Sequence, residues 1–479
     1  MSNFSGIDWG IVGVYLALIF AAGVLVKRYV GNLSDFLVAG RGMGQNLGIV
    51  SLMSAEIGII TYVYYAEMGF IFGFSSFLPG LIPVACLLFV GLTGFCIRRL
   101  RDLKLMTIPE YFQKRYSPGV RVLAGVLMAV GGALNLGVFP RLEAAFLNIV
   151  TGVPEEYLIW TMVLLLLVVL VYTAMGGMVS ILITNYLQYV LLSIGMLIIT
   201  AVCFLNVGLG DMIGTVTEKI GSTGFNPISH PDMGWTFIVW QVLLWVGVLT
   251  SWQSIAMRTF STKDSRVGMR IFTRTGVLFL GRALLPMFWG IAALAYFGRA
   301  DVPIEAMPAM LNRLLPVGLI GLVIAAMLAA SMSTYASYLL AWGSIISQDV
   351  IQPLIRRPLS DGAKVKMNRI TVVGLTLFIM FWGLLYKIPG PTYFYLNMTA
   401  NLFLAGTLSS IVAGLYWKRA NSVGAYTAFA LGALSVLGYF FGGMSPKILG
   451  FMSFGLAFAG MIIGSLVGGL FIKKEGATS

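Results

Sequence analysis

Apolar runs long enough to cross a bilayer follow one another along almost the whole chain, and the charged residues gather in the short segments between them. About thirteen such runs can be drawn, at 7–27, 45–73, 76–97, 119–150, 157–174, 180–206, 234–257, 271–298, 318–346, 367–388, 391–417, 422–442 and 447–472. About 20 apolar residues span a bilayer core as a helix, and a helix satisfies its own backbone hydrogen bonds in lipid. The pattern predicts an all-α integral membrane protein of about 13 transmembrane helices, a single membrane domain with no soluble boundary. Two connections exceed a turn. One is 207–233, with Asp211, Glu218, Asn226 and His230; the other is 98–117, where TIPEYFQKRY predicts a short amphipathic helix at the membrane surface.

Polar residues inside the runs single out three spans. The second span, GQNLGIVSLMSAEIGIITYVYYAEMGFIFG, carries Glu56 near its middle, among Ser51, Ser54, Gly58 and Thr61. A carboxylate at that depth faces the bundle interior or a wet path, and small residues around it favour an interrupted helix whose freed carbonyls can hold an ion. The alternative for Glu56 is structural, as the partner of a neighbouring helix's cation or as a protonated acid. The seventh span, FIVWQVLLWVGVLTSWQSIAM, sets Gly247 beside Thr250, Ser251, Gln253 and Ser254, which predicts a second interruption. Spans 2 to 6 and 7 to 11 would then be two five-span inverted repeats. In the ninth span, Ser333 and Thr334 are adjacent, with Ser331 and Ser337 nearby. Two hydroxyls and a carbonyl one turn back, completed by two carbonyls of a facing broken helix, would suit Na⁺. Close helix packing accounts for the same small residues equally well. In span 4, Pro140 should kink the helix. Arg141 there could clamp a solute carboxylate, or snorkel outward, or pair with Glu143 at the mouth. Glu67 lies near the outer end of span 2.

Composition agrees with the pattern. Of 479 residues, 58% are hydrophobic and only 10% charged, against roughly 25% charged in soluble domains. The net charge of +13 therefore reads as a set of topology determinants and not as a nucleic-acid surface. The segments that would be inside if the N-terminus is outside hold most of the basic residues. They include Lys27, Arg28 and Arg41; Arg98, Arg99, Arg101, Lys104, Lys114, Arg115 and Arg121; Arg258, Lys263, Arg266, Arg270 and Arg274; and Arg356, Arg357, Lys364, Lys366 and Arg369. The positive-inside rule thus predicts an outside N-terminus and a cytoplasmic C-terminus in the cell membrane. The first run has its basic residues after it, so it is expected to be a retained span and not a cleaved leader. Cys86, Cys96 and Cys203 lie in or beside apolar runs, which argues against a disulfide framework. His230 is expected to be exposed, and a single histidine removes most Ser–His and zinc chemistry, so no enzyme is predicted. The glycines of AGRGMG have no strand before them and make no nucleotide loop.

Six stretches, in order, resemble the solute:sodium symporter family of proline, sugar and choline co-transporters. They are SDFLVAGRGMG, TIPEYFQKRY, YTAMGGMVSILITNYLQ, RTFSTKDSR, AAMLAASMSTYAS and GLYWKRANSVGAYTAFALG, and together they cover nearly the full length. The resemblance implies a LeuT-like fold of two inverted repeats, with one extra helix before and two after. The corresponding bounds are 1–43 for the first helix and loop, 44–206 and 234–420 for the repeats, and 421–479 for the C-terminal helices. It also implies a sodium site made of the Ser333 and Thr334 hydroxyls with the carbonyls of Ala330, Ser54 and Ile57. Glu56 falls where proline carriers have Asp and sugar carriers Asn. The family's Thr-Asp of span 6 is Thr184–Asn185 here, which points to one Na⁺ per cycle or to Glu56 supplying the charge. Val248 and Leu249 replace the aromatic gate of sugar carriers, which counts against a stacked sugar.

Together these readings predict sodium-coupled symport of a small polar solute by alternating access in a monomeric functional unit. The solute should touch Glu56, Thr61, Trp252, Gln253 and Arg141. An amino acid or other zwitterion or amine is favoured by the carboxylate, with a sugar or organic carboxylate as the alternative. A channel or a sensor of the same fold is the competing class.

Overall fold

The computed structural model describes residues 4–26, 32–298, 301–355, 359–388 and 390–475; Lys27, Arg28, Arg356 and Arg357 of the charge argument lie outside them. Among the described residues the chain is helical throughout. The first half comprises α1 (Gly6–Val26), α2 (Leu33–Val38), α3 (Gln45–Ala55), α4 (Ile59–Phe72), α5 (Phe77–Thr93), α6 (Ile97–Asp102), α7 (Ile108–Arg115), α8 (Pro118–Gly137), α9 (Phe139–Thr151), α10 (Leu158–Val207) and α11 (Leu209–Lys219). The second comprises α12 (Trp235–Ser251), α13 (Gln253–Ser261), α14 (Ser265–Phe297), α15 (Pro303–Leu314), α16 (Leu319–Ile345), α17 (Gln352–Leu354), α18 (Asp361–Leu385), α19 (Thr392–Tyr416), α20 (Ser422–Gly442) and α21 (Pro446–Glu475). Every apolar run of the sequence falls on a helix or a broken pair. Among the described residues nine helical stretches have the length and hydropathy of a membrane span, and the bent pair α12–α13 makes a tenth. α10 carries two runs and is broken at Gly177, whose φ of 55° suits glycine alone.

The two predicted interruptions are present. α3 stops at Ala55, and Gly58, in extended conformation, starts α4 with its N–H on the Thr61 hydroxyl at 3.2 Å. The bend between α12 and α13 is 46°, at Trp252, whose ψ of 116° leaves the helical region. Small residues set the depth at which helices cross. A Cβ on Gly290 of α14 would fall on the Ala66 carbonyl of α4, and one on Gly69 would fall on the Met287 backbone. α1 docks through the buried carboxylate of Asp8, which accepts from the N–H groups of Gly318 (2.7 Å) and Gly321 (2.8 Å). Those donors are orphans of the α16 N-terminus, so the first helix caps the helix that carries Ser333 and Thr334.

At the opposite, basic end the 97–117 segment is tied down by arginines on helix-end carbonyls. Arg41 donates to Lys104 O at 2.7 Å and Arg115 to Gly414 O at 2.8 Å. Arg101 donates to Thr262 O at 2.9 Å, and Arg121 pairs with the buried Asp349 at 2.7 Å. The amphipathic face of α7 is not a lipid-facing surface. Tyr111 donates to Ile411 O, and Phe112 meets Phe429 edge-on at 5.4 Å, so this face packs on α19 and α20. Arg258 is also no surface charge, being only 2% exposed inside the bundle. His230 is half-buried against Phe72 at 4.9 Å and is not exposed. The three cysteines are buried and free, as expected.

Candidate functional site

α16 passes the break between α3 and α4, and there the oxygens expected of an ion site meet. The Ser333 hydroxyl donates to Ser54 O at 2.7 Å and to Ala330 O at 2.8 Å. The Thr334 hydroxyl is buried with no protein partner. The break runs so close that a Cβ on Gly58 would stand 3.0 Å from this hydroxyl. Ile57, 1% exposed, occupies the break itself. Neutral carbonyl and hydroxyl oxygens of this kind suit a small hard cation that must leave again.

A second polar cluster lies next to it. Arg258 on α13 donates to Ser51 O (3.1 Å) and Oγ (3.0 Å), to Ser254 O (2.9 Å) and to the Ser337 hydroxyl (2.7 Å). Asn185, with its amide oxygen turned inward, accepts from the same guanidinium at 3.2 Å. The position where the family carries an acid therefore faces a fixed cation.

Above the break α4, α8, α12, α14, α16 and α19 enclose a central cavity of about 80 Å³, well under the roughly 300–1,000 Å³ of pockets that hold small ligands. It is contracted and must widen to admit a solute. Its polar lining includes Glu56, Thr61, Asn135, Arg282, Thr334 and Asn397. Glu56 accepts from the Tyr338 hydroxyl at 2.9 Å and from Ser254 Oγ at 3.4 Å. Arg282 donates to the Glu56 carbonyl at 2.6 Å and to the Tyr65 hydroxyl at 3.1 Å, and its guanidinium lies 4.8 Å over the Phe279 ring. Carboxylate and guanidinium line the same cavity, one charge of each sign, with the guanidinium on the Glu56 backbone carbonyl and not on its carboxylate. Trp245, Val248 and Trp252, one turn apart on α12 and its bend, line one wall. The aromatic faces missing at Val248 and Leu249 are thus supplied one turn to either side.

Of the residues expected to touch solute, Glu56, Thr61 and Trp252 meet in this cavity. Gln253 and Arg141 do not. Gln253 accepts from Ile108 N at 3.0 Å and donates to Met106 O at 3.2 Å, tying the bent span to the 97–117 segment. Arg141 lies against Leu384 O in a separate pocket of about 450 Å³ toward the Asp8 end, with Glu67, Asp301 and Lys387. Nor does Arg141 pair with Glu143, which is fully buried and bonded to Ser331 and Ile60 N. Arg282 is the charged cavity-lining side chain absent from the residues expected to touch solute. A lone arginine in the apolar run VLFLGRALLPMF was its signal.

Membrane-length helices packed around two broken spans, with an oxygen cluster at one break and a polar cavity beside it, define an ion-coupled carrier of the LeuT-like inverted-repeat fold. The chain belongs to the sodium:solute symporter family, whose model matches residues 36–432. It is 23% identical to the sodium/sialic acid symporter SiaT of Proteus mirabilis (strain HI4320), covering 91% of this chain and 90% of that protein. It is 26% identical to the sodium/glucose cotransporter of Vibrio parahaemolyticus, covering 89% and 84%. Among solved structures it superposes on a Na⁺-coupled sialic acid symporter in a substrate-bound outward-open state, with a TM-score of 0.84, 20% identity and coverage of 97% and 98%. At that identity the likeness is one of fold. The protein is a multi-pass membrane transporter, a sodium-coupled solute symporter and not an enzyme.

Proposed function

We propose that the co-transported solute is polyhydroxylated, a sugar or sugar acid, and that it binds in the central cavity. The observation that carries this is the Glu56 carboxylate, already accepting from Tyr338 and Ser254 with the Arg282 guanidinium lining the same cavity, which speaks against the amine or amino acid favoured by sequence. Amides of Asn135 and Asn397, the Thr61 hydroxyl and the faces of Trp245 and Trp252 offer the hydrogen bonds and stacking that a hydroxylated ring uses. The relatives named for sialic acid and glucose support the same class.

Na⁺ binds between α3–α4 and α16, on the Ser333 and Thr334 hydroxyls and the carbonyls of Ala330, Ser54 and Ile57. The short bonds of Ser333 to two of those carbonyls and the unpartnered Thr334 hydroxyl support this assignment. Arg258 beside Asn185 repels a further cation, which favours one Na⁺ per cycle. Residues 44–206 and 234–420 act as the two repeats of a monomeric functional unit, with 1–43 and 421–479 as flanking helices. The basic end faces the cytoplasm and the N-terminus the outside of the cell membrane, supported by Arg99, Arg101 and Arg115 at that end. Ion binding matters to transport only through a difference in affinity between conformations.

The test is thermal stabilisation of the purified protein by neutral sugars, sugar acids, amino acids and amines, in Na⁺ and again in K⁺, followed by uptake of any binder into proteoliposomes. A bound ligand raises stability by mass action. A sugar-class solute that stabilises only in Na⁺ is expected. Na⁺-dependent stabilisation by an amine or amino acid alone would overturn the solute reading and leave the sodium site standing.

A further inference from the structure

Two of the membrane-length stretches, Ile59–Thr93 and Thr392–Tyr416, end beside each other at the basic end of the molecule. There α6, α7 and residues 414–418 form a pocket of about 520 Å³, whose lining includes Arg99, Arg115, Gly414, Tyr416, Trp417 and Lys418. A span stops where the hydrocarbon core gives way to the headgroup layer, and Trp and Tyr collect at that depth. The pocket therefore lies level with the lipid headgroups.

Neutral groups hold its cations in place. Arg99 donates to Leu415 O and lies 4.4 Å over the Tyr416 ring. Arg115 donates to Gly414 O at 2.8 Å and to Trp417 O at 3.4 Å, and lies 5.2 Å over the Tyr116 ring. These bonds use one nitrogen of Arg99 and two of Arg115. A guanidinium has five N–H donors in all, so each keeps some for a ligand. Lys418 is exposed and has no salt bridge among the described residues. Neither Asp102 of α6 nor Glu110 of α7 lines the pocket, and Glu110 is paired with Lys114 at 3.0 Å. The carbonyl end of α19 offsets only about half a unit of positive charge. Capping of α19 accounts for Arg99 and Arg115, but Lys418 adds a further cation to a helix end already matched.

One wall of the pocket runs on into the membrane. The exposed Tyr416 ring is stacked on Phe95 at 5.7 Å and 7°, and Phe95 touches Phe89 at 5.5 Å. Phe89 and Leu92 are exposed on the last turns of α5. The Tyr416 hydroxyl accepts from Cys96 N at 3.1 Å, which fixes this strip although it is exposed. A free phosphate would use the cations alone, whereas an amphiphile uses the cations and the aromatic strip together. We propose that the pocket binds the headgroup of an anionic phospholipid from the leaflet at the basic end. Its phosphate lies on Arg99, Arg115 and Lys418, and one acyl chain runs along Tyr416, Phe95 and Phe89. The lipid joins α6 and α7 to the end of α19 and stabilises that junction. The proposal needs the membrane setting, and neither the sodium site nor the solute.

The experiment is thermal unfolding of the delipidated full chain in neutral detergent at constant ionic strength. Dioleoyl phosphatidylglycerol, dioleoyl phosphatidylcholine and inorganic phosphate are titrated in separately. Phosphatidylglycerol should raise the unfolding midpoint at much lower concentration than phosphatidylcholine, and inorganic phosphate should not raise it. In Arg99→Gln/Lys418→Gln the half-saturating phosphatidylglycerol concentration should rise about 25-fold, at about fivefold per charge removed. Arg266→Gln/Arg270→Gln removes two exposed cations from the start of α14, outside the pocket, and should leave that concentration unchanged. Equal stabilisation of wild type by the two lipids overturns the proposal. An equal loss in both double variants does so too, since it marks a diffuse basic field and no pocket. Stabilisation by inorganic phosphate to the same extent overturns the lipid as occupant. Should Arg99→Gln/Lys418→Gln not fold, Lys418→Gln alone alters only an exposed side chain and should still cost about fivefold; an unchanged affinity is equally fatal.

Discussion

Thr334→Val is the sharpest test of the ion site, because its two expected effects have opposite signs. The side chain is 2% exposed and its hydroxyl has no protein partner. Without Na⁺, an unsatisfied buried hydroxyl costs about 1–3 kcal/mol. Valine keeps the shape and removes that penalty, so the variant should unfold later than wild type in K⁺. With Na⁺, the same change deletes one of the five oxygen ligands proposed for the site. Valued as a hydrogen bond to a charged group, that is about 1.5–3 kcal/mol, or roughly a 10- to 150-fold weaker sodium affinity. Ser333→Ala behaves differently. It strips the donor from Ser54 O and Ala330 O, so it should lower stability in K⁺ as well as weaken Na⁺. The assay is thermal unfolding of purified protein at constant ionic strength as Na⁺ replaces K⁺, with transport KM for Na⁺ measured in proteoliposomes. A Thr334→Val protein that keeps the full sodium-induced shift, or that is less stable than wild type in K⁺, would refute the assignment.

Further outcomes follow from packing and charge. Asp349→Asn removes the buried negative charge that pairs with Arg121. Breaking a buried pair costs about 3–5 kcal/mol, and since the Arg121 side chain is 19% exposed the loss should be nearer ~2 kcal/mol, read as a lowered unfolding midpoint. Gly290→Ala drives a methyl into the Ala66 carbonyl and should destabilise by at least ~1–3 kcal/mol. Gly247→Ala, whose nearest atoms stand 3.6 Å away, should be tolerated in the same unfolding assay. On α15, burial, aided by the neighbouring Glu155, pushes the Glu305 carboxyl up from its ordinary value. The folded state then binds more protons than the unfolded one, so this group's contribution to stability falls as pH rises from the unfolded toward the folded pKa. Glu305→Gln should therefore stabilise the protein at neutral pH and lose that advantage in acid; an advantage that persists unchanged in acid would contradict this.

The sequence carried the fold because hydropathy reports burial in lipid directly, and the helix interruptions because glycine, serine and threonine at Gly58 and at 250–254 weaken a helix locally. The meeting of Ser333 with the carbonyls of Ser54 and Ala330 could be expected for the same reason, since a break exposes backbone carbonyls whatever its side chains. What could not be read were partnerships. Gln253 and Arg141 are polar residues at plausible depths, and which cavity a side chain enters depends on how the helices of the bundle are arranged around it, which the one-dimensional pattern does not carry. α7 has the amphipathic signature of a surface helix, yet a protein groove formed by α19 and α20 satisfies its apolar face as well as lipid does.

Glu56 shows the limit most plainly. Its depth was visible in the string of residues, and so was the expectation that a charge so placed has a job. Its role depends on Arg282, more than two hundred residues away, and on Arg258 beside the break. Two buried guanidiniums, Arg282 on the Glu56 backbone carbonyl and Arg258 on Ser254, stand near this one carboxylate, so the polar centre holds an excess of positive charge before any Na⁺ arrives. A cationic solute would add to that excess, whereas a neutral sugar leaves it unchanged and a sugar acid offsets it. The electrostatic argument that favoured an amine when Glu56 was considered alone thus reverses once its neighbours are in place, and it does so without any change in the residue that prompted it.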